Sequence, residues 1–180
     1  RGDRARLRRA RRPGARSPVT MPPLVTVHVD AVRWTRARPD VVKLVQSVLT
    51  RALRAEGCGR KTVAVDVTLT TDARVRRLNR DWRGKDNPTN VLSFPLETPD
   101  MPVPRGRPRQ LGDIVLAYQT LVREAREQGK PLADHLTHLL VHGTLHLLGY
   151  DHETDADATR MEHREVELLA LMGIPNPYQT

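Results

Sequence analysis

Three imidazoles within eleven residues constrain this chain more than any other feature. The segment HGTLHLLGYDH, residues 142–152, places histidine at 142, 146 and 152. On a helix, His142 and His146 are four residues apart and lie one above the other on the same face. Two imidazole nitrogens so placed reach a single metal ion at ~2.0–2.1 Å. Gly149 breaks the helix as a left-handed cap. The Gly-Tyr-Asp turn then brings His152 back over the helix end as a third ligand. Three protein ligands leave a fourth position open, as in catalytic rather than structural zinc sites. His138 shares the helix face, but residues i to i+8 span ~12 Å of axis, too far for one metal to hold all three. His138 and His135 are expected to pack or to support the ligands. His28 and His163 are expected at the surface or in packing.

The spacing i, i+4, i+10 with glycine at i+7 matches the metzincin pattern H-E-x-x-H-x-x-G-x-x-H. Gly143 stands where that pattern has its general-base glutamate. Three neutral histidines leave the full charge of a divalent metal uncompensated. That suits an anionic phosphodiester, and the metal itself lowers the pKa of water towards ~7.

The rest of the chain indicates where such a site sits. Residues 24–29 (LVTVHV) read as a strand, and 62–70 (TVAVDVTLT) alternate as a half-buried strand. A helix opens at Pro39–Asp40 and ends at Gly57, with apolar residues at helical spacing between. Thr71 or Asp72 caps a short helix through Leu78. Turn residues fill 82–90, a short strand spans 91–94, a proline- and arginine-rich loop spans 95–112, and Ile114–Leu116 form a last short strand. Helices follow near 118–128, 131–148 and 155–172. Strands mixed with helices in one unit predict an α+β or α/β fold, with the His site at the end of a C-terminal-half helix.

Charge and cysteine narrow the setting. The formal net charge is +9. Residues 1–20 hold eight arginines and one acid, Asp3, and so carry +7; residues 21–180 carry only +2. Residues 1–20 are expected to be a disordered Arg-rich extension. Its function would be nonspecific phosphate contact; the plain alternative is that Met21 is the true start of the protein and the segment before it a mis-called extension. Residues 21–180 are expected to form one domain. The one cysteine, Cys58, excludes an intrachain disulfide framework and fits a reducing, cytoplasmic setting. No apolar run approaches the ~18 residues of a membrane span. Aromatics are 3% of the chain, which argues against an RNA surface built on many stacked rings.

HGTLHLLGYDH resembles the signature of the YbeY family of bacterial rRNA-maturation endoribonucleases. LNRDWRGKDNPTNVLSFPLE (78–97) and LGDIVLA (111–117) resemble that family's second and third blocks, in the same order. The resemblance runs from about Leu24 to Met172. One departure is Asn90, where many members carry Asp. The resemblance implies an α+β domain with a small mixed sheet of about four strands. It implies one Zn²⁺ on His142, His146 and His152, and cleavage of single-stranded RNA. It further implies 16S rRNA 3′-end maturation, ribosome quality control, and the ribosome or ribosomal proteins as partners. It places the family's important arginine on Arg83.

A guanidinium fork binds two non-bridging phosphate oxygens, which supports a catalytic role for Arg83; the plain alternative is a turn salt bridge to Asp86. Lys85 is either a phosphate contact or a solvated lysine. Asp151 either holds a ligand imidazole or shapes the turn. Ser93 and Asp113 sit in the resembling blocks without an assigned mechanism. The nucleophile is open between an activated water and the substrate's 2′-OH. Two alternatives of other kinds stand beside the nuclease. One is a ribosome-assembly factor with a mainly structural metal. The other is a metallopeptidase using Glu153 as base.

Overall fold

Valine and leucine at every second position from Val63 to Leu69 point one way, and that alternation lays down the central strand of the sheet. The computed structural model describes residues 21–58, 62–96 and 107–179. The Arg-rich segment 1–20, expected to be disordered, lies outside the described residues. The strands are β1 (Leu24–Val29), β2 (Val63–Thr70), β3 (Val91–Pro95) and β4 (Arg109–Ala117). The helices are α1 (Arg33–Ala37), α2 (Val41–Ala55), α3 (Asp72–Arg83), α4 (Tyr118–Glu127), α5 (Leu132–Leu147) and α6 (Asp155–Leu171). The sheet has four strands in the order β1-β2-β4-β3. β1, β2 and β4 run parallel, and β3 runs antiparallel to β4 at the edge. This is the mixed four-stranded sheet with surrounding helices that the sequence led us to expect.

The two sheet faces are buried unequally. One face carries the main core, where Val65, Val67, Leu69, Ile114 and Leu116 meet Leu49 and Leu53 of α2 and Leu140 of α5. The other carries a smaller cluster in which Val75 of α3 packs on Leu92, Val115 and Ala117. Trp34 of α1 is buried and donates its indole N–H to the Thr70 carbonyl at 3.0 Å, pinning α1 over the end of β2.

Three boundaries differ from expectation. α3 runs to Arg83 rather than Leu78, so Trp82 and Arg83 are helical. Gly84 ends it in a left-handed conformation, φ 69°, where its N–H caps the Arg80 and Asn79 carbonyls. β4 starts at Arg109 rather than Ile114, so the loop after β3 is shorter than 95–112. Residues 97–106 of that loop lie outside the described residues. The early start of β4 is a product of pairing, since Arg109 and Gln110 lie opposite Val63 and Ala64, and no local pattern announces such partners. Finally, α1 is a single short turn that periodicity missed.

Gly112 is the backbone hinge of the site-bearing edge. Its φ is 144°, and a Cβ there would lie 2.1 Å from the Phe94 carbonyl oxygen. Only glycine lets β3 approach β4 at this position.

Candidate metal centre

α5 is apolar nearly all round and is sandwiched between the sheet, α2, α4 and α6. His142 and His146 emerge from its last two turns. Gly149 follows with φ 89°, as expected of a left-handed cap, and its N–H returns to the His146 carbonyl. Asp151 Oδ1 accepts the His152 N–H at 2.7 Å, so Asp151 shapes the turn. His152 is thereby folded back: its ring centroid is 5.9 Å from that of His142 and 5.0 Å from that of His146. One donor nitrogen from each of the three histidines lies within 4.8 Å of the other two.

The protonation pattern makes this donor set fit a metal. His142 Nδ1 faces Glu165 Oε1 at 2.6 Å, and His146 Nδ1 faces the Tyr150 carbonyl at 3.0 Å. A carboxylate and a carbonyl only accept, so both Nδ1 atoms carry the proton. The two Nε2 atoms then face each other at 3.1 Å with lone pairs opposed. A cation between them resolves that opposition. Burial, reinforced by His142 and His152, pushes the His146 pKa down, so its imidazole is held neutral, as a ligand must be.

Glu165 is the member that sequence reasoning missed. It is fully buried on α6. Burial raises its pKa, but His138, His142 and the Tyr178 hydroxyl, all facing the carboxylate, outweigh it and hold the carboxyl at about 2. The available signal was a glutamate set into the apolar stripe Met161, Leu168 and Leu169 of α6. Burial together with Glu165 pushes the Tyr178 hydroxyl up. Of the other two helix histidines, His138 Nε2 lies 3.6 Å from Glu165, behind the ligands. His135 is buried against Glu124 of α4 at 2.9 Å. His28 and His163 pair with Asp66 and Glu167 at the surface.

The three histidines open onto a cleft of about 620 Å³ whose lining also includes Arg83, Asn90 and Ser93. Asp86, the alternative partner for Arg83, instead binds Arg76 through two hydrogen bonds of 2.9 and 2.7 Å. That pairing holds Asp86 below the usual carboxylate range. Among the described residues Arg83 has no carboxylate partner, so its fork is available to a ligand. Lys85 is exposed on the turn beyond α3. Asn90 donates its amide to Glu124 at 3.0 Å and accepts the Val91 N–H at 2.7 Å. An aspartate could not make the first of these bonds, which accounts for asparagine beside Glu124 in this chain. Asp113 lies on β4 opposite Asp66, outside the cleft lining.

Gly143 has a packing reason. A Cβ there would lie 3.0 Å from Ser93 Oγ and 3.2 Å from Ile114 Cγ2. α5 rests so closely on β3 and β4 that any side chain at 143 requires Ser93 and Ile114 to shift. Glu153 does line the cleft.

A family model described as Endoribonuclease YbeY matches residues 29–173. An Endoribonuclease YbeY of Paramagnetospirillum magneticum is 49% identical over 155 residues, covering 86% of this chain and 94% of that protein. One from Magnetococcus marinus is 58% identical over 120 residues, 63% of this chain and 82% of its own. The solution structure of TM1509 from Thermotoga maritima aligns with a TM-score of 0.50, over 87% of this chain and 100% of that one. Its identity is 22%, so it speaks for the fold alone. With the family model spanning most of the chain and a relative at 49% identity, this protein belongs to the Endoribonuclease YbeY family.

Proposed function

We propose that the protein is a metal-dependent endoribonuclease that hydrolyses phosphodiester bonds of single-stranded RNA in rRNA processing. The observation that carries it is one cleft holding three convergent histidines and a guanidinium with no carboxylate partner among the described residues. His142, His146 and His152 hold the metal, which we assign as a single Zn²⁺ from the three-nitrogen donor set. Bound there, the metal supplies Lewis acidity at a phosphate and acidifies water.

The chain's own residues supply the rest. Arg83 takes two non-bridging oxygens of the scissile phosphate and neutralises the charge that grows there in the transition state. Glu165 and the Tyr150 carbonyl fix the proton on Nδ1 of His142 and His146, leaving both Nε2 lone pairs towards the cleft. Asn90 is locked between Glu124 and its own strand, so the cleft wall beneath the substrate is rigid. Position 143 holds glycine where a peptidase of this motif carries its general-base glutamate, and the Glu165 carboxylate is engaged with Nδ1 of His142, in keeping with phosphodiester rather than peptide chemistry. Residues 21–180 act as one domain, and 16S rRNA 3′ ends on the ribosome, in the cytoplasm, are the setting we assign. No helix among the described residues is long and apolar enough to cross a membrane.

The test is cleavage of a hairpin with a single-stranded 3′ extension by the zinc-loaded chain, beside His152→Ala, Arg83→Ala and Glu153→Gln purified identically. The parent and Glu153→Gln are expected to cut the extension, and the other two to lose at least about 100-fold in rate. Equal cutting by parent and His152→Ala would assign the activity to a contaminant.

A further inference from the structure

The last turn of α3 carries two side chains of opposite character to opposite sides of β3. Arg83 reaches the metal cleft. Trp82, one residue earlier and so ~100° away around the helix, is 73% exposed, whereas the other tryptophan, Trp34, is 1% exposed. Tryptophan is enriched at binding interfaces relative to the rest of a protein's surface. This one is not loose. Its ring stands edge-on to Phe94, centroids 6.1 Å apart at 63°, and Phe94 is packed against the small core of Val75, Leu92 and Val115.

β3 explains the juxtaposition. Val91, Ser93 and Pro95 line the cleft, while Leu92 and Phe94 belong to the opposite face. β3 is the sheet edge, and Trp82 stands against its Phe94, on the face turned away from the cleft, one residue before Arg83. The surroundings are cationic. Among the described residues neither Arg83 nor Lys85 has a carboxylate partner, because Asp86 is held by Arg76. An exposed indole braced on Phe94, one residue from a guanidinium that has no carboxylate partner among the described residues, suits a ligand that is both planar and anionic.

We propose that Trp82 is a stacking platform for a nucleobase of single-stranded RNA, adjacent to the phosphodiester held at Arg83. The inference rests on the nuclease reading for the identity of the strand. It adds a base-binding subsite outside the metal cleft. Stacking on an indole accepts any base, since every base has a π-face; the subsite therefore selects unpaired over paired strands rather than one sequence over another.

The test uses the zinc-loaded full chain and 2′-O-methyl hexauridylate, kept intact and checked by gel. Trp82 supplies the readout, since Trp34 is buried and shielded from quencher throughout. Bound RNA is expected to protect the exposed tryptophan from acrylamide. Trp82→Ala is expected to weaken binding about 5- to 100-fold, and Trp82→Phe to recover most of it. A scan of single abasic positions is expected to find one site whose loss costs as much as Trp82→Ala and nothing further in that variant. Abasic and parent strands carry the same charge, so the Arg-rich segment 1–20 contributes equally to both. A tryptophan that stays accessible with RNA bound, a flat abasic scan, or unchanged binding by Trp82→Ala would each overturn the proposal. Hairpin cleavage, measured in parallel, separates the two readings. Cutting without protection sinks the platform alone; protection without cutting sinks the nuclease alone; absence of binding sinks the platform whatever the cleavage result.

Discussion

Replacing Glu165 by glutamine isolates the contribution of one buried charge to metal capture. The side chain keeps its volume and still offers a carbonyl oxygen to His142 Nδ1–H, now 2.6 Å from Oε1. Two things change. The charge-assisted hydrogen bond becomes a neutral one, and the new amide N–H₂ meets the Tyr178 hydroxyl as a second donor. A charge-assisted bond contributes about 1.5–3 kcal/mol, a neutral one about 0.5–1.5, so the loss is about 1–1.5 kcal/mol. That corresponds to about a tenfold weaker metal, at the lower end of the ~10–100-fold range for groups that orient ligating histidines. Glu165→Ala also leaves a cavity and should lie at the upper end. The assay is zinc competition against a calibrated chelator at fixed pH, with thermal melts of the metal-free proteins run alongside. Nitrogen-detected NMR of the His142 ring should show the Nδ1–H form in the parent and a mixture of tautomers in Glu165→Gln. A zinc affinity within twofold of the parent, with the His142 tautomer unchanged, would refute the orienting role.

Two further substitutions probe packing and surface charge. Gly143→Glu should destabilise the fold by about 3 kcal/mol or more in urea unfolding. It overpacks Ser93 and Ile114 and buries a carboxylate without a partner, and it should confer no peptidase activity. Asp113→Asn should stabilise the protein at pH 7. Burial, with Asp66 beside it, raises the Asp113 pKa in the folded state above 3.8, so its charged form costs stability as pH climbs through that window. The advantage should therefore vanish in melts at pH values below about 3.8.

The ligand histidines were legible because their geometry is local. Residues 142–152 form one helix end and one turn, and spacing alone predicts the convergence that the folded chain displays. Gly149 was legible for the same reason. Arg83 shares the cleft with the three histidines, a neighbourhood suggested by likeness to a family block, since the expected helix stopped at Leu78. What was illegible lies at long range. Glu165 reaches His142 from 23 residues away, and Tyr178 reaches Glu165 from the segment after α6. No periodicity links such positions. The choice between Arg83 and Arg76 as partner of Asp86 likewise depended on how α3 faces the following turn. β4 extended beyond its apolar triplet because two neighbours on different sides supplied its hydrogen bonds.

The confinement of all three donors to eleven consecutive residues has a consequence for folding. A loop of about ten residues closes in about 10–100 ns, so the unfolded chain can already gather its imidazoles around an ion. A metal held by these residues would therefore bind both ends of the folding equilibrium, and would stabilise the native state by less than its native-state affinity alone would give. The surplus that favours the native protein comes from what the loop lacks: α6 swinging Glu165 behind His142 to set its proton, and β3 closing the far wall of the cleft.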